Sequence, residues 1–357
     1  MVDGEEFNWR VSLVSSGVLF RTHYGGGIGH GHIMRCLSIA SILQEKGFDS
    51  VFLLDQKVED ELLDLEKYKC YFLNEFNSRE YFEDKKEMGE EDKIIECMKS
   101  HNLKILFFDK YLISNELLKN LKDKGCFIAG FDDFGHRNYF YDLLIDHNYI
   151  NKNQDRESRV LGGLEHCVLD GKFKHSKDTR QLSKANANSD VKLSLFVNLG
   201  SGCVLEYEKI ILEAFDTMDM NNKFNVYWLD SNKASGLNFE NYSKRYIEKI
   251  PYVNNMAKFL LDMDVAIGSC GVNAIERCAM GIPSLVFKTV ENQSRNYQNL
   301  IKKRLVIPVL NKLDIAIKLD ELYRSPQVLE RESDYCRSKI DGKGVYRVAD
   351  KMEFILN

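Results

Sequence analysis

With 357 residues, 44% of them hydrophobic, the chain is long enough to fill two packed cores, so two domains are expected. A formal charge of −5 with interspersed signs, and no block of lysines or arginines, argues against nucleic acid as the main partner. No apolar run approaches the roughly 20 residues of a membrane span, so stable membrane insertion is not expected either.

The first six residues, Met1-Val2-Asp3-Gly4-Glu5-Glu6, are acidic where a secretory leader is basic, and the expected location is cytoplasmic. Nine cysteines are dispersed from Cys36 to Cys336 without a C-x-x-C pair. That pattern reads as reduced thiols, most of them small core residues, and not as disulfides or a structural zinc.

Residues 1–16 carry no usable period and read as an N-terminal extension. A strand is expected over residues 18–20, and it breaks into a run with five glycines between Gly25 and Gly31. Glycine lets the backbone approach a ligand closely, and a helix starting near His32 would aim its free N–H groups at the same place, which makes an anion site. Ile33, Cys36, Leu37, Ala40 and Leu43 follow helical spacing, and Gly47 supplies a stop before a strand at 51–54. Further strands are expected at 70–73, 105–108, 127–130 and 143–145, the last closing the first sheet. The mixed-charge run at 77–93 reads as a solvated helix and loop.

From 174 to 190 the chain turns polar, and the junction between domains is expected there, with a linker at 174–192. A first domain at 17–173 and a second at 193–357 follow. The second alternation has strands at 193–197, 225–229, 265–268 and 284–287, glycine turns at Asn198-Leu199-Gly200-Ser201-Gly202 and at Ser269-Cys270-Gly271, and a final helix at 344–354. The expected fold is therefore α/β, with two Rossmann-like parallel-sheet domains facing across a cleft. Ligands in such sheets sit beyond the carboxyl ends of the strands.

Several motifs together resemble one family. Phe20-Arg21 and Ile28-Gly29-His30-Gly31-His32-Ile33-Met34-Arg35 are similar to the I-G-x-G-H-x-x-R of the UDP-sugar hydrolases of the pseudaminic acid pathway. The likeness continues through Phe108-Asp109-Lys110-Tyr111, Phe131-Asp132-Asp133, Asn198-Leu199-Gly200-Ser201, the block from Ala266 to Glu276, Gly281-Ile282-Pro283-Ser284, Glu291-Asn292-Gln293 and Asp341-Gly342-Lys343-Gly344-Val345-Tyr346-Arg347-Val348-Ala349. It runs over residues 17–350. Lys110 stands where that family often has histidine, His23 where it often has aspartate, and residues 161–173 follow its pattern loosely.

The resemblance implies a GT-B-like fold and a hydrolase that removes UDP from a UDP-linked diacetamido-trideoxy sugar by inverting attack of water. His32 would be the general base, since imidazole titrates near neutrality. Carry-over from the matching motifs makes Arg21, Gly29, Gly31, Tyr111, Asn292 and Gln293 substrate contacts. Gly200, Ser201, Gly271 and Val272 would meet the diphosphate through backbone N–H groups, and Glu276, about one helical turn past Gly271, would accept the ribose hydroxyls.

The resemblance implies no cofactor. His23, His30 and His32 are not expected to hold a metal, because no carboxylate or cysteine at ligand spacing completes the set. Asp132-Asp133, followed by Gly135, reads as a turn cap. Two rival readings use the same architecture: a glycosyltransferase passing a UDP-amino sugar to an acceptor, and a non-catalytic nucleotide-sugar binding protein.

Overall fold

The structure, a computed structural model, describes residues 16–23, 31–57, 64–73, 87–136, 138–149, 159–176, 191–200, 205–229, 246–251 and 253–357. Strands β1 (Gly17–Thr22), β2 (Asp49–Leu54), β3 (Lys69–Phe72), β4 (Leu103–Asp109), β5 (Phe127–Phe131), β6 (Leu143–Asp146) and β7 (Val160–Gly162) form one sheet. Their order is β3-β2-β1-β4-β5-β6-β7, and all pairs are parallel. Helices α1 (Gly31–Glu45), α2 (Glu87–Ser100) and α3 (Asn115–Asp123) cover it, and α4 (Lys172–Ser176) follows β7.

A second sheet holds β8 (Leu193–Asn198), β9 (Phe224–Leu229), β10 (Ile247–Ile250), β11 (Val265–Ser269), β12 (Ser284–Phe287) and β13 (Ile307–Pro308). It is ordered β10-β9-β8-β11-β12-β13 and is likewise parallel. Its helices are α5 (Leu205–Asp216), α6 (Met220–Lys223), α7 (Met256–Phe259), α8 (Val272–Ala279), α9 (Ser294–Lys302), α10 (Lys312–Arg324) and α11 (Pro326–Lys339). The chain ends in α12 (Gly344–Leu356).

The expected pair of parallel-sheet α/β domains is what the chain forms. Central strands are apolar on both faces because both faces are covered: Val18 and Phe20 pack toward α1, Leu19 packs toward α2 and α3, and all three are fully buried. Phe20 stacks on Phe52 with ring centroids 5.1 Å apart. Gly47 takes a φ of +86° at the end of α1, the left-handed stop its position foretold.

Four readings need correction. The first sheet does not close at residue 145, since β7 pairs with β6 beyond it. Strands β10 and β13 were not foreseen. They are short edge strands, and residues 247–250 alternate too briefly to be read.

The third correction concerns the domain limits. Helix α12 does not belong to the second core: Val345, Val348, Ala349, Met352 and Leu356 pack with Val18, Ile33 and Ile39 of the first. Conversely Leu164, Cys167, Leu169 and Phe173 pack with Phe196 and Ala266 of the second, so the chain changes core twice. The proposed linker at 174–192 lies mostly outside the described residues.

The fourth is the run at 77–93. It is not wholly solvated, because Glu90 on α2 is buried; residues 77–86 lie outside the described part.

Candidate active site

In each sheet the chain order reverses beside its first strand, between β1 and β4 and between β8 and β11, and the carboxyl ends of these strands are where a ligand crevice forms. In the first domain His32 is the second residue of α1 and is buried at 7% exposure. Asp109 is the last residue of β4, the neighbour of β1, and so it meets the start of α1.

The Asp109 Oδ1 atom lies 2.6 Å from His32 Nδ1. An ionised carboxylate only accepts, so Nδ1 carries a proton and donates it, and in the neutral imidazole that fixes the tautomer whose lone pair is on Nε2. Arg35, one turn along α1, lies 3.4 Å from the same ring nitrogen, and the shorter contact to Asp109 decides the tautomer.

Asp109 stays ionised because of its partners. Burial alone would raise its pKa, but Arg35 and His32 outweigh that and hold the carboxyl below its usual range. Arg35 donates to Oδ2 from Nε at 2.6 Å and to Oδ1 from Nη2 at 2.5 Å. The other edge of the same guanidinium forks onto Asp133, at 3.0 and 2.8 Å, and its Cζ lies 3.8 Å from the Phe131 ring centroid. Asp132 is the turn cap expected of it: Gly135 N–H and His136 N–H donate to its Oδ1 at 2.7 and 3.0 Å.

Tyr111 places its ring edge-on to His32, with centroids 4.5 Å apart. Its hydroxyl accepts from Asn292 Nδ2 at 3.0 Å, so its own proton remains to donate. Asn292 comes from the turn after β12, in the second domain. Three sequence candidates, His32, Tyr111 and Asn292, therefore meet at one point.

The nucleotide candidates meet at another set of strand ends. Gly200 follows β8 with a φ of +83°, and a side-chain carbon there would come 3.5 Å from Ser269 Oγ. Gly271 is the N-cap of α8 and Val272 its first residue. Gln293 does not point away from them: its Oε1 accepts from Cys270 N–H at 3.2 Å and steadies this turn. Arg277 is buried beneath it and donates to Ser269 O at 2.9 Å.

Glu276 is partly buried, and among the described residues its carboxylate has no hydrogen bond or ion pair. Burial pushes its pKa up to about 7, with Arg277 pulling down and Asp170 adding to the rise. An under-partnered carboxylate one turn into a helix that caps a glycine turn is suited to a pair of hydroxyl donors.

Arg21 is a correction. It is 1% exposed and spends its guanidinium on Glu90, on Asp55 at 2.5 Å and on the carbonyl of Thr22 at 3.1 Å. It serves a buried ion network, since a cation so enclosed has no face left for a ligand. Lys110 joins this network, donating to Glu90 at 2.9 Å. His23 lies against it, and burial first, then Arg21, Lys110 and His32, hold its pKa down at about 2, so it is neutral.

Gly31 opens α1 with open space where a side chain would stand. Gly29, His30 and Ser201 lie outside the described residues. Among the described residues no cluster of three or more His, Cys, Asp or Glu side chains is arranged to hold a metal. The eight described cysteines are free thiols, and no described helix is long and apolar enough to cross a membrane.

Sequence reasoning missed Asp109, Arg35, Asp133 and Arg295 as members of the site. The signals were present for two of them: Asp109 is the first charge after the apolar run 105–108, and Arg35 is spaced i+3 from His32.

No protein-family model matches the chain. It is 23% identical over 288 residues to the spore coat polysaccharide biosynthesis protein SpsG of Bacillus subtilis, a match covering 74% of this chain and 80% of that one. Among solved structures it resembles Acinetobacter baumannii MurG (TM-score 0.68, 13% identity, 95% of this chain and 99% of that one). It also resembles the glycotransferase of kitacinnamycin (TM-score 0.66, 14% identity, 96% and 100%). A third likeness is to Methanocaldococcus jannaschii UDP-GlcNAc 2-epimerase in complex with UDP-GlcNAc and UDP (TM-score 0.62, 12% identity, 95% and 99%). At these identities the likeness is one of fold, and the chain has the two-domain parallel-sheet architecture of the GT-B type.

Proposed function

We propose that this protein is a nucleotide-sugar enzyme of glycan biosynthesis, which breaks the bond between UDP and the anomeric carbon of a UDP-linked amino sugar. The observation that carries the reading is the 2.6 Å contact between Asp109 and His32 Nδ1. In the neutral ring it leaves Nε2 as a base near the start of a helix, with the Tyr111 ring packed edge-on at 4.5 Å. A base so placed takes the proton of an oxygen nucleophile as that nucleophile attacks C1. The leaving UDP is met by the N-terminus of α8 at Gly271 and Val272, which offsets its developing charge, whereas Gly200 N–H is taken by Asn198 Oδ1 at 3.0 Å and shapes the neighbouring turn. Glu276 accepts the ribose hydroxyls.

Two nucleophiles suit this base. Transfer to an acceptor hydroxyl has the support of the relatives: SpsG is named for polysaccharide biosynthesis, and one of the structures sharing the fold is titled a glycotransferase. Transfer to water has the support of the motif around His32. A local observation also favours it: the Tyr111 ring packs edge-on to the imidazole, and its hydroxyl, which accepts from Asn292 at 3.0 Å, keeps a proton to donate to a small nucleophile.

The test is to incubate the purified protein with a panel of UDP-sugars, with and without glycan acceptors, and to follow UDP and the sugar product. Release of UDP is expected. Release without acceptor selects water, and release only with acceptor selects transfer. Turnover is expected to survive exhaustive chelation, since backbone N–H groups carry the diphosphate charge. Loss that zinc or magnesium restores would contradict that part.

A further inference from the structure

Helix α9 joins the two halves of the site. At its start Gln293 and Asn296 hold the nucleotide turn: Gln293 Oε1 accepts from Cys270 N–H, and Asn296 Nδ2 donates to the carbonyls of Cys270 at 2.8 Å and Gly271 at 3.1 Å. One residue away, Arg295 crosses to the first domain. Its Nη1 donates to the carbonyls of Asp132 at 3.2 Å and Asp133 at 3.0 Å, and its Nη2 to Asp146 Oδ2 at 2.9 Å. Asp146 is 2% exposed, and its Oδ1 accepts from Arg295 Nη1 at 3.3 Å and from Asn148 N–H at 3.0 Å. A buried carboxylate of this kind depends on its cation, so this contact favours the docked arrangement.

From there the bonds run unbroken to the base. The residue whose carbonyl Arg295 holds, Asp133, grips Arg35 with its carboxylate. Arg35 grips Asp109, and Asp109 accepts from His32 Nδ1–H. The loop is shaped for the guanidinium: Gly135 has a φ of +75°, and a side-chain carbon there would lie 2.7 Å from Arg295 Cζ. We infer that Arg295 is a positioning residue, which ties the nucleotide turn carried by α9 to the orientation of the His32 base, so that the base is aligned when the second domain is docked. The inference rests on the reading of His32 as the base. It assigns Arg295 no contact with the reacting atoms.

Two measurements on the full-length protein test it. Arg295→Met should lower kcat roughly tenfold to hundredfold, the scale of a misaligned catalytic group, with UDP affinity unchanged. Gly135→Ala, which fills the cradle without removing a charge, should do the same in smaller measure. The double variant Arg295→Met with Asp146→Asn removes the stranded carboxylate, so it should recover thermal stability but not kcat. Recovery of kcat together with stability would reduce Arg295 to a charge partner and overturn the inference. The second readout needs no turnover: in ¹⁵N spectra of histidine-labelled protein, His32 should be a single Nδ1–H tautomer in the wild type and an exchanging mixture in Arg295→Met. An unchanged His32 signal in Arg295→Met would overturn the inference even if the enzyme proved active. A changed signal with no UDP-sugar turned over by the wild type would support the coupling and count against the catalytic reading alone.

Discussion

Replacing His32 with asparagine is expected to lower turnover by a factor of roughly a hundred to ten thousand while leaving the fold and UDP binding intact. Asparagine keeps a polar group near Asp109 Oδ1, 2.6 Å from the native Nδ1, but it offers no basic nitrogen where Nε2 stood. His30→Asn is expected to do much less, since the resembled pattern I-G-x-G-H-x-x-R fixes no residue type at that place. Asp109→Asn is a harsher change, because it also strips a fork from Arg35, which is 8% exposed. If His32→Asn kept near-normal turnover and His30→Asn abolished it, the base would be misassigned.

Glu276 should show opposite effects on binding and stability. Glu276→Ala is expected to weaken UDP binding by about 1.5 to 3 kcal/mol, the scale of lost charge-assisted hydrogen bonds, read by calorimetric titration. Unchanged affinity would remove Glu276 from the site. The free protein, by contrast, bears a cost for this carboxylate. Its pKa rises on folding to about 7, so the folded state binds the extra proton, and the associated stability is present below the unfolded value and lost as pH climbs through 7. Glu276→Gln resembles the protonated form at every pH. It should therefore melt higher than wild type at pH 8, by about 1 to 3 kcal/mol, and match it near pH 4.5. The affinity of wild type for UDP should also rise from pH 6 to pH 8 relative to Glu276→Gln, since the ionised carboxylate is the better acceptor.

The fold was legible where local patterning and burial agree. Short continuous apolar runs such as residues 105–108, set between polar segments, read as strands covered on both faces, and glycine at 47 marks a helix end by its conformation. The domain limits were not legible, because they depend on which core a helix chooses. The apolar stripe of α12, with Val345, Val348 and Met352, would suit either sheet, and only the return of the chain to α1 decides it. The site was legible in part. Glycines and a histidine stand adjacent in the chain, whereas Asp109 is 77 residues from His32, and Asp133 reaches Arg35 across 98. Arg21 misled for the same reason. A motif gives an arginine's place but not its surroundings, and here those are Glu90 and Asp55, two carboxylates that need a buried cation.

The central claim is that an oxygen nucleophile activated by His32 attacks the anomeric carbon and UDP departs whole. The direct measurement is turnover in ¹⁸O-water with mass analysis of both products. Cleavage between C1 and oxygen leaves the UDP oxygens unlabelled, with the label at C1 of the sugar if water is the nucleophile. UDP carrying ¹⁸O on its terminal phosphate would mean attack at phosphorus, and that result would contradict the account.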